Sequence, residues 1–402
     1  MKNLKSMLLG AVALASLALP AAAQTNVKIG VLSDMSSLYA DLGGAGSVAA
    51  ARMAVEDFNA AAKGMRVEIV SADHQNRADV GSNIARQWFD RDSVDVIVDV
   101  PNSGVALAVN GVTREKNKVF LVSGAATSAL TGEQCSPNTV HWTYDTWALA
   151  NGTGKAIVQQ GGDTWFFLTA DYAFGHQLEA DTSAVVTKLG GRVLGGVRHP
   201  LNGSDFSSFL LQAQASRAKI IGVANAGGDT INTIKQAGEF GIVRRGQSLA
   251  GLLIFISDVH GLGLESAQGL VFTNAFYWDK DDGTRAFARR MAAANRGIHP
   301  TMVHAGVYAS VLHYLKAVEA NKSAADGKAT VDRMKAMATD DALFGKGTVR
   351  TDGRKIHDMY LYEVKKPSES KGAWDYYKLR TTIPAAEAFR PLAEGKCPLA
   401  GS

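Results

Sequence analysis

The sequence predicts an α/β protein with two similar domains, each built on a doubly wound parallel sheet. Short apolar, β-branched runs alternate with amphipathic helical stretches from Val27 onward, as buried parallel strands and their crossover helices do. The same alternation starts again near residue 164, so the two domains follow each other along the chain. The predicted strands are residues 27–32, 67–72, 94–100 and 119–124 in the first series, and residues 164–170, 191–197, 219–225, 252–257 and 270–276 in the second.

Apolar residues at helical spacing supply the crossovers. Val48, Ala51, Val55, Phe58 and Ala62 form one apolar stripe between the first two strands. Two long helical segments follow residue 280, and strand-like runs come after them, so we expect the chain to pass between the domains more than once. The other predicted helices lie near residues 84–89, 105–115, 175–189, 206–215, 230–240, 285–295 and 303–320, and the late strands are residues 359–364 and 374–379.

The first 23 residues have the form of a secretory signal peptide. Lys2 and Lys5 precede an apolar run from Met7 to Leu19, and a proline and small residues lead to a cleavage site after Ala23. The run is shorter than the roughly 20 apolar residues of a membrane span, and no cysteine near the cut offers a point of lipid attachment. We therefore expect an exported, soluble, periplasmic protein without a lipid anchor.

Charge and length limit the partners. The formal net charge of the chain is +4, and removing Lys2 and Lys5 with the signal peptide lowers it to +2. So small an excess argues against binding to nucleic acid or to a membrane surface. The mature chain is long enough for two domains with their own cores.

The chain has two cysteines, Cys135 and Cys397. An even number of cysteines in a protein bound for an oxidising compartment favours one disulfide between them. This bond would tie the C-terminal tail back to the end of the first domain. Two unrelated thiols are the alternative.

A glycine-rich segment raises the question of a dinucleotide site. Gly44, Gly46 and Ala49 match the G-x-G-x-x-A pattern, but about a dozen residues separate Gly44 from the first strand, whereas a dinucleotide-binding turn follows its strand directly. The acidic residue that the pattern requires is missing, because Asp73 lies 27 residues beyond Gly46. Free nicotinamide cofactors are also scarce outside the cytoplasm. We therefore predict no cofactor, and expect these glycines to serve backbone geometry at the rim of a cleft.

No motif specifies a reaction or a metal site. The sequence contains no nucleophile elbow, P-loop or H-E-x-x-H pattern. The spacing of His299, His304 and His313 does not suit a chelate, and solvated or capping histidines are the better interpretation. Asp171, Asp229 and Asp258 have the chemistry of an acid–base pair, although each also suits a ligand contact or a helix cap.

The residues that follow the predicted strands give the clearest indication of function. Ligands of open parallel sheets bind beyond the carboxyl ends of the strands, and here those ends carry small residues, hydroxyls, amides and a few aromatics. The segment from Ser123 to Thr127 is the most informative, because its small residues admit close approach and its hydroxyls donate hydrogen bonds. A helix that starts near Ser128 would favour a carboxylate there, and a plain N-cap is the alternative.

The ordered motifs resemble those of the periplasmic solute-binding proteins of branched-chain amino-acid-type ABC transporters. The resemblance covers essentially the whole mature chain, and its most specific pieces are the S-x-A-A-T turn at Ser123 and the D-Y-x-F-G turn at Asp171. It implies a type I periplasmic binding protein, in which two Rossmann-like lobes are joined by three crossings and close on a solute. The implied partners are a small solute and the membrane subunits of a permease, and we expect a monomer. We expect residues 24–145 plus 279–350 in the first lobe and residues 146–278 plus 351–402 in the second.

The resemblance also implies the binding residues. In the first lobe, Ala125 and Thr127 would bind a ligand carboxylate through backbone and hydroxyl donors, and Tyr172 would close from the second lobe. The full set of expected ligand-binding residues is Tyr39, Val100, Asn102, Ser103, Ser123, Ala125, Thr127, Tyr172, Asp229, Asp258, Tyr277 and Trp278.

Three departures bear on the solute. Leucine-type binders have a serine where this chain has Asn102, and they have a second-lobe tyrosine near the position of Ala226. Asp258 is a candidate partner for an α-amino group, while Tyr277 and Trp278 form either a stacking wall for an aromatic acid or a buried strand edge. We predict a receptor that performs no chemistry and binds a hydrophobic amino acid or an aromatic acid. A sensor of the same fold and an exported hydrolase are the alternatives.

Overall fold

The computed structural model describes residues 24–401, so the predicted signal peptide, residues 1–23, lies outside the described part of the chain.

The first parallel sheet is formed by strands between Thr25 and His141. Its strands are arranged in the order β2-β1-β3-β4-β5, and every neighbouring pair is parallel. They are β1 (Thr25–Ser33), β2 (Met65–Asp73), β3 (Val96–Asp99), β4 (Val119–Val122) and β5 (Thr139–His141).

The second parallel sheet repeats this plan with one strand fewer. Its order is β7-β6-β8-β9, again with parallel neighbours throughout. Its strands are β6 (Thr164–Ala170), β7 (Arg192–His199), β8 (Ile220–Ala224) and β9 (Ser248–Gly251). Both orders reverse direction once, between β1 and β3 and between β6 and β8, which is the signature of doubly wound sheets. The predicted fold class is therefore confirmed.

Helices cover both faces of the parallel sheets. Successive residues of β3 point to opposite sides, so Val98 joins the core under the helices at 44–58 and 302–321, and Ile97 joins the core under those at 78–90 and 103–115. The helices are α1 (Gly44–Phe58), α2 (Ala78–Asp90), α3 (Ser103–Glu115), α4 (Thr146–Leu149), α5 (Lys155–Gln159), α6 (Ala173–Lys188), α7 (Ser207–Ala215), α8 (Gly228–Glu239), α9 (Ile256–Leu262), α10 (Leu264–Ala267), α11 (Asp282–Ala294), α12 (Met302–Asn321), α13 (Gly327–Ala336) and α14 (Ala385–Ala388).

The later strands form two antiparallel sheets. They are β10 (Val271–Asn274), β11 (Thr339–Asp341), β12 (Gly345–Val349), β13 (Lys355–Ile356), β14 (Met359–Val364) and β15 (Tyr377–Ile383), arranged as β10-β14-β15 and β11-β12-β13. The predicted strand at residues 270–276 is present as the shorter β10, but the expected parallel pairing is wrong, because β10 pairs antiparallel with β14. The alternation of apolar residues there reflects burial and carries no information on the direction of the partner.

The predicted strand at residues 252–257 is also wrong. The strand β9 ends at Gly251, and helix α9 begins at Ile256, where the Asp258 carboxylate accepts a hydrogen bond from Phe255 N at 2.9 Å. The intervening residues 252–255 have no regular structure, yet all four are buried. These residues are apolar because they pack in the core or line the cleft between the two parallel sheets. Hydrophobic periodicity alone cannot distinguish a buried loop of this kind from a buried strand.

The chain passes between the two parallel sheets three times: after β5, after β10 and after β13. Helices α11 and α12 pack against α1 of the first sheet, and β14 then pairs with β10. The first and third passages are bonded side by side. The fully buried guanidinium of Arg354 donates to Tyr144 O at 3.0 Å and lies 3.5 Å from the Asp145 carboxylate, and His357 Nε2 bonds Thr143 O at 2.9 Å.

The predicted disulfide joins Cys135 to Cys397, whose Cα atoms lie 5.7 Å apart. Seven residues before Cys397, Arg390 forms an ion pair with Asp181 at 2.8 Å and also donates to Ser128 Oγ at 3.1 Å. The tail after β15 therefore runs back to the first parallel sheet. We propose that the tail from Ala385 belongs with the first lobe, whereas the boundary prediction places residues 351–402 together in the second.

Candidate functional site

A small cleft opens between the carboxyl ends of the two parallel sheets. The first sheet contributes residues that follow β1, β3, β4 and β5, and the second contributes residues that follow β6, β8 and β9. These are the positions beside the switch points of both sheets, where doubly wound folds bind ligands. The lining residues are Tyr39, Leu42, Pro101, Gly124, Ala126, Tyr144, Tyr172, Phe174, Ala226, Leu253 and Phe255. They enclose about 220 Å³, including the part open to solvent.

The lining is apolar except for three tyrosine hydroxyls and main-chain groups. The hydroxyls of Tyr39 and Tyr172 form a hydrogen bond of 2.5 Å across the cleft, and Tyr144 donates to Gly124 O at 2.5 Å. Burial raises the pKa of all three phenols, so they stay protonated at neutral pH. The cleft therefore offers neutral hydrogen-bonding groups among apolar walls and contains no charged side chain.

The two lobes touch at the cleft. Gly228 N donates to Leu38 O at 3.5 Å, and Gly227 adopts a positive φ of 59°. A Cβ at Gly227 would lie 2.5 Å from Leu38 O, so only glycine permits this approach. Together with the Tyr39–Tyr172 pair, this contact defines a closed arrangement of the lobes.

Of the predicted ligand-binding residues, Tyr39 and Tyr172 line the cleft. Asn102 and Thr127 are N-caps instead: Asn102 Oδ1 accepts from Gly104 N at 2.9 Å, and Thr127 Oγ1 accepts from Ala129 N at 3.4 Å. The helix predicted at Ser128 is a single 3₁₀ turn, Ser128–Thr131. The plain capping alternative therefore describes both side chains.

Ser103 bonds the N–H of Thr127, which is one of the donors that the resemblance assigns to a carboxylate, and the neighbouring N–H of Ala126. The Ser103 hydroxyl oxygen accepts from Ala126 N at 3.3 Å and from Thr127 N at 3.2 Å. These bonds are long for N–H···O contacts, so an anion at this edge would compete with the hydroxyl for the same N–H groups.

Val100, Ser123 and Ala125 are buried directly behind the lining. Ala125 lies between the lining residues Gly124 and Ala126, and its carbonyl oxygen is bonded by His141 Nε2 at 2.8 Å. Ser123 Oγ is buried without a hydrogen-bond partner among the described residues. These three residues shape the wall of the cleft from behind, and their side chains do not line it.

The carboxylates of Asp229 and Asp258 both accept hydrogen bonds from main-chain N–H groups. The Asp229 carboxylate accepts from Asn202 N at 3.1 Å and Gly203 N at 2.9 Å, while Asp258 caps helix α9. Burial raises the pKa of Asp229 to about 6 and that of Asp258 to about 7, and the main-chain bonds offset part of this effect. Neither side chain lines the cleft.

Tyr277 and Trp278 belong to an aromatic cluster outside the cleft lining. Trp278 Nε1 donates to Trp374 O at 2.7 Å, and Trp374 stacks on His260 with ring centroids 3.9 Å apart and on His299 at 5.3 Å. These two residues lie beyond the end of β10, and their contacts are with other aromatic side chains of the protein.

His304, His313 and the glycine-rich segment make contacts within the protein core. His304 Nε2 bonds Gly43 O at 2.9 Å, and His313 Nε2 bonds Met334 O at 2.8 Å. A Cβ at Gly46 would clash with the His304 ring, so this glycine allows α1 and α12 to pack closely. Among the described helices, none combines the length and the apolar character that a membrane crossing requires.

Part of the lining was not predicted from the sequence. Leu42, Tyr144 and Phe255 are apolar or aromatic residues in loops, where nothing local distinguishes a cleft wall from core. Pro101, Gly124 and Phe174 lie in segments at the predicted strand ends, although they were not among the expected ligand-binding residues. Leu253 falls in the segment that was predicted to be a strand.

The fold and the cleft define a class of two-lobed receptors, and comparison with known proteins identifies the family. The chain belongs to the periplasmic binding protein family, whose family model matches residues 26–373. This family comprises solute-binding proteins of ABC transporters, which bind small molecules and are not enzymes.

Solved structures support the assignment. A periplasmic binding protein from Burkholderia mallei is 54% identical, with a TM-score of 0.90 over 93% of this chain and 99% of its own. A branched chain amino acid ABC transporter periplasmic ligand-binding protein from Burkholderia xenovorans LB400 is 42% identical, with a TM-score of 0.82 over 93% of this chain and 100% of its own. A solute-binding protein from Rhodopseudomonas palustris in complex with 4-hydroxybenzoate shares the fold, with 23% identity and a TM-score of 0.81 over 89% of this chain and 97% of its own.

Proposed function

We propose that this protein is the periplasmic receptor of an ABC importer and binds a small carboxylate-bearing solute between its lobes. The observation that carries the proposal is the uncharged cleft at the switch points of both parallel sheets. Its lining combines apolar and aromatic side chains with a few hydroxyl and main-chain groups, which favours a small solute with an apolar part and a polar end.

An aromatic acid fits this cleft better than an amino acid. An α-ammonium group buried here would need an acidic partner, and the two predicted candidates, Asp229 and Asp258, are held by main-chain N–H groups. Phe174 and Phe255 offer aromatic walls, and the tyrosine hydroxyls and the N–H groups of Ala126 and Thr127 offer donors to a carboxylate. The 4-hydroxybenzoate found in the Rhodopseudomonas protein is consistent with this chemistry, while the name of the Burkholderia xenovorans protein supports the amino-acid alternative.

The mechanism that we propose is hinge closure. A solute that touches both lobes favours the closed state by its greater affinity for that state, and the three passages of the chain between the sheets act as the hinge. The closed, monomeric receptor then delivers the solute to the membrane subunits of a permease.

A ligand screen tests the proposal. Benzoate, 4-hydroxybenzoate, leucine and phenylalanine are added to the purified mature protein, and the thermal unfolding midpoint is measured, because a solute that binds only the folded state raises that midpoint. We expect the two aromatic acids to raise it and the two amino acids to have little effect. A response to the amino acids alone would contradict the choice of solute, and no response to any of the four would contradict this assignment of the solute class.

Two tryptophan substitutions place the binding site. Leu253 lines the cleft and is buried, so Leu253→Trp should fill the cleft and abolish the response to benzoate. Leu211 is 52% exposed on α7, so Leu211→Trp is the matched control and should preserve the response. Chromatography of the recovered solute should show it unchanged, whereas turnover of added esters or amides would support the hydrolase alternative.

A further inference from the structure

A buried carboxylate lies at the switch point of the first sheet and has no role in the site described so far. Asp99 is the last residue of β3 and pairs with Leu32 of β1, so it lies where the sheet reverses direction. Its side chain is fully buried. Ser33 Oγ donates to Asp99 Oδ2 at 2.8 Å, but Oδ1 has no hydrogen-bond partner among the described residues.

Glycines on two sides bring this carboxylate close to the cleft. A Cβ at Gly43 would lie 2.9 Å from Asp99 Oδ2, and a Cβ at Gly124 would lie 2.7 Å from Asp99 Oδ1. Gly124 and Pro101 both line the cleft and both lie beside Oδ1, so the carboxylate is directly behind this wall. A solute atom in van der Waals contact with Gly124 Cα would lie within about 8 Å of the carboxylate, since the Cα–Cβ bond adds about 1.5 Å and the contact about 4 Å.

The main chain at Asp99 and Val100 adopts an energetically unfavourable conformation. Asp99 has a φ of 79° and Val100 a φ of 56°, both in the left-handed region. A β-branched residue is a marked outlier there, and consecutive non-glycine residues of this kind persist only where the surrounding structure enforces them. Strain of this type clusters at ligand sites, and here it immediately precedes Pro101, which lines the cleft.

Within residues 24–401, no cation contributes to the pKa of Asp99. Burial raises the pKa of Asp99 to about 6, partly offset by the nearby hydroxyls of Ser47 and Ser33. The titratable groups nearest to it are the Tyr144 phenol, whose pKa is raised by burial and by Asp99 itself, and His304 beyond Gly43, whose pKa burial lowers to about 4. Both are neutral near pH 6, so a proton on Asp99 itself is the available means of removing its charge.

We propose that Asp99 is a positioning residue that couples binding of a carboxylate solute to uptake of a proton. An anion in the cleft repels the ionised carboxylate behind Gly124 and tolerates the neutral acid, so the receptor binds the anion best when Asp99 is protonated. This inference rests on the proposed function, because it requires an anionic solute in the cleft.

The size and direction of the effect follow from electrostatics. Two unit charges about 8 Å apart at an effective dielectric constant of about 20 repel each other by an amount worth roughly tenfold or more in affinity. The affinity for an anion should therefore be highest below pH 6 and fall as the pH rises and Asp99 ionises. Asp229 and Asp258 of the second lobe titrate in the same range, so the test has to separate them from Asp99.

Isothermal titration of benzoate into the mature protein is the test, from pH 5.5 to pH 8 and in buffers of different ionisation enthalpy. Benzoate itself stays ionised throughout. We expect the affinity of the wild type to fall about tenfold over this range, with uptake of a fraction of a proton near pH 6 to 7. Asp99→Asn keeps the shape and removes the charge, so its affinity should vary less than about twofold with pH and its binding should take up no proton.

Two further sets of variants keep the result interpretable if Asp99→Asn folds poorly. Ser33→Ala removes a hydrogen bond to the ionised form and should move the midpoint of the pH dependence upward. Asp229→Asn and Asp258→Asn should each retain the proton uptake. A wild type without proton uptake, or an uptake that is lost in either of the last two variants and kept in Asp99→Asn, would overturn the inference. Binding of benzoate without pH dependence contradicts the inference alone, whereas no binding of any solute in the screen contradicts the proposed function and this inference with it.

Discussion

At the scale of single residues, the contact between Tyr39 and Tyr172 is the most direct link across the cleft. Their hydroxyls lie 2.5 Å apart, and both rings line the cleft. Both residues are largely withdrawn from water in this arrangement of the lobes, so each hydroxyl depends on the other or on a solute for a hydrogen bond. In the hinge mechanism proposed above the pair belongs to the closed state, and we expect it to separate when the lobes open.

Tyr172→Phe tests this link. The substitution leaves the Tyr39 hydroxyl buried without its partner, which costs about 1–3 kcal/mol in the closed state only. Affinity for benzoate should fall roughly tenfold, and small-angle scattering should show a larger radius of gyration with benzoate at a concentration that saturates the wild type. Tyr308→Phe is the matched control, because that hydroxyl bonds Asp57 at 2.6 Å outside the cleft lining. Equal affinity in Tyr172→Phe and the wild type would show that the pair does not stabilise closure.

The residues of the site differ in how far the sequence could predict them. Tyr39 and Tyr172 could be identified because they fall in motifs directly after strands. Asp99 could not, because its role depends on β1 lying beside β3 and on two glycines from distant loops that approach its carboxylate. Asn102 and Thr127 have the side chains of ligand contacts and of caps alike, and only the coordinates show which N–H groups they bond.

At the scale of elements, helix α3 shows how a cap supports the site. Asn102 Oδ1 accepts from two N–H groups of the first turn, Gly104 N at 2.9 Å and Val105 N at 3.1 Å. The next residue is Ser103, which holds the loop after β4 through Ala126 N and Thr127 N. The start of this helix therefore fixes the position of the cleft wall.

Asn102→Ala should lower the free energy of unfolding by about 1 kcal/mol, because it removes this cap. Asn102→Asp keeps an oxygen acceptor at the helix start and should restore most of the loss. Urea denaturation followed by circular dichroism measures both values. Equal stability of the alanine variant and the wild type would show that the cap contributes nothing.

The elements that the sequence predicted correctly are the buried parallel strands and their helices, whose apolar runs are dictated by burial on both faces. The wrong strand at residues 252–257 and the wrong pairing direction at residues 270–276 share one cause. In both places burial comes from contacts with other parts of the fold, through an irregular loop in one case and an antiparallel partner in the other. The local sequence pattern indicates that a segment is buried, but it does not indicate which other segment it packs against or pairs with.

At the scale of the whole molecule, the disulfide and the passages between the sheets determine stability. The Cys135–Cys397 bond spans 262 residues of sequence, so it removes much of the freedom of the unfolded chain. Replacing both cysteines by serine should lower the free energy of unfolding by about 2–4 kcal/mol in urea denaturation. Wild-type protein under reducing conditions is the control and should match the variant. An unchanged midpoint would show that the tail is held by its other contacts, such as the Arg390–Asp181 pair.

The same bond gives the molecule a covalent ring. Every residue of the second parallel sheet, all three passages between the sheets and the loops that line one side of the cleft lie inside the ring that Cys135 and Cys397 close. A single proteolytic cut anywhere between these cysteines therefore leaves both fragments in one molecule. The protein thus keeps its two lobes joined after a nick that would release part of an open chain.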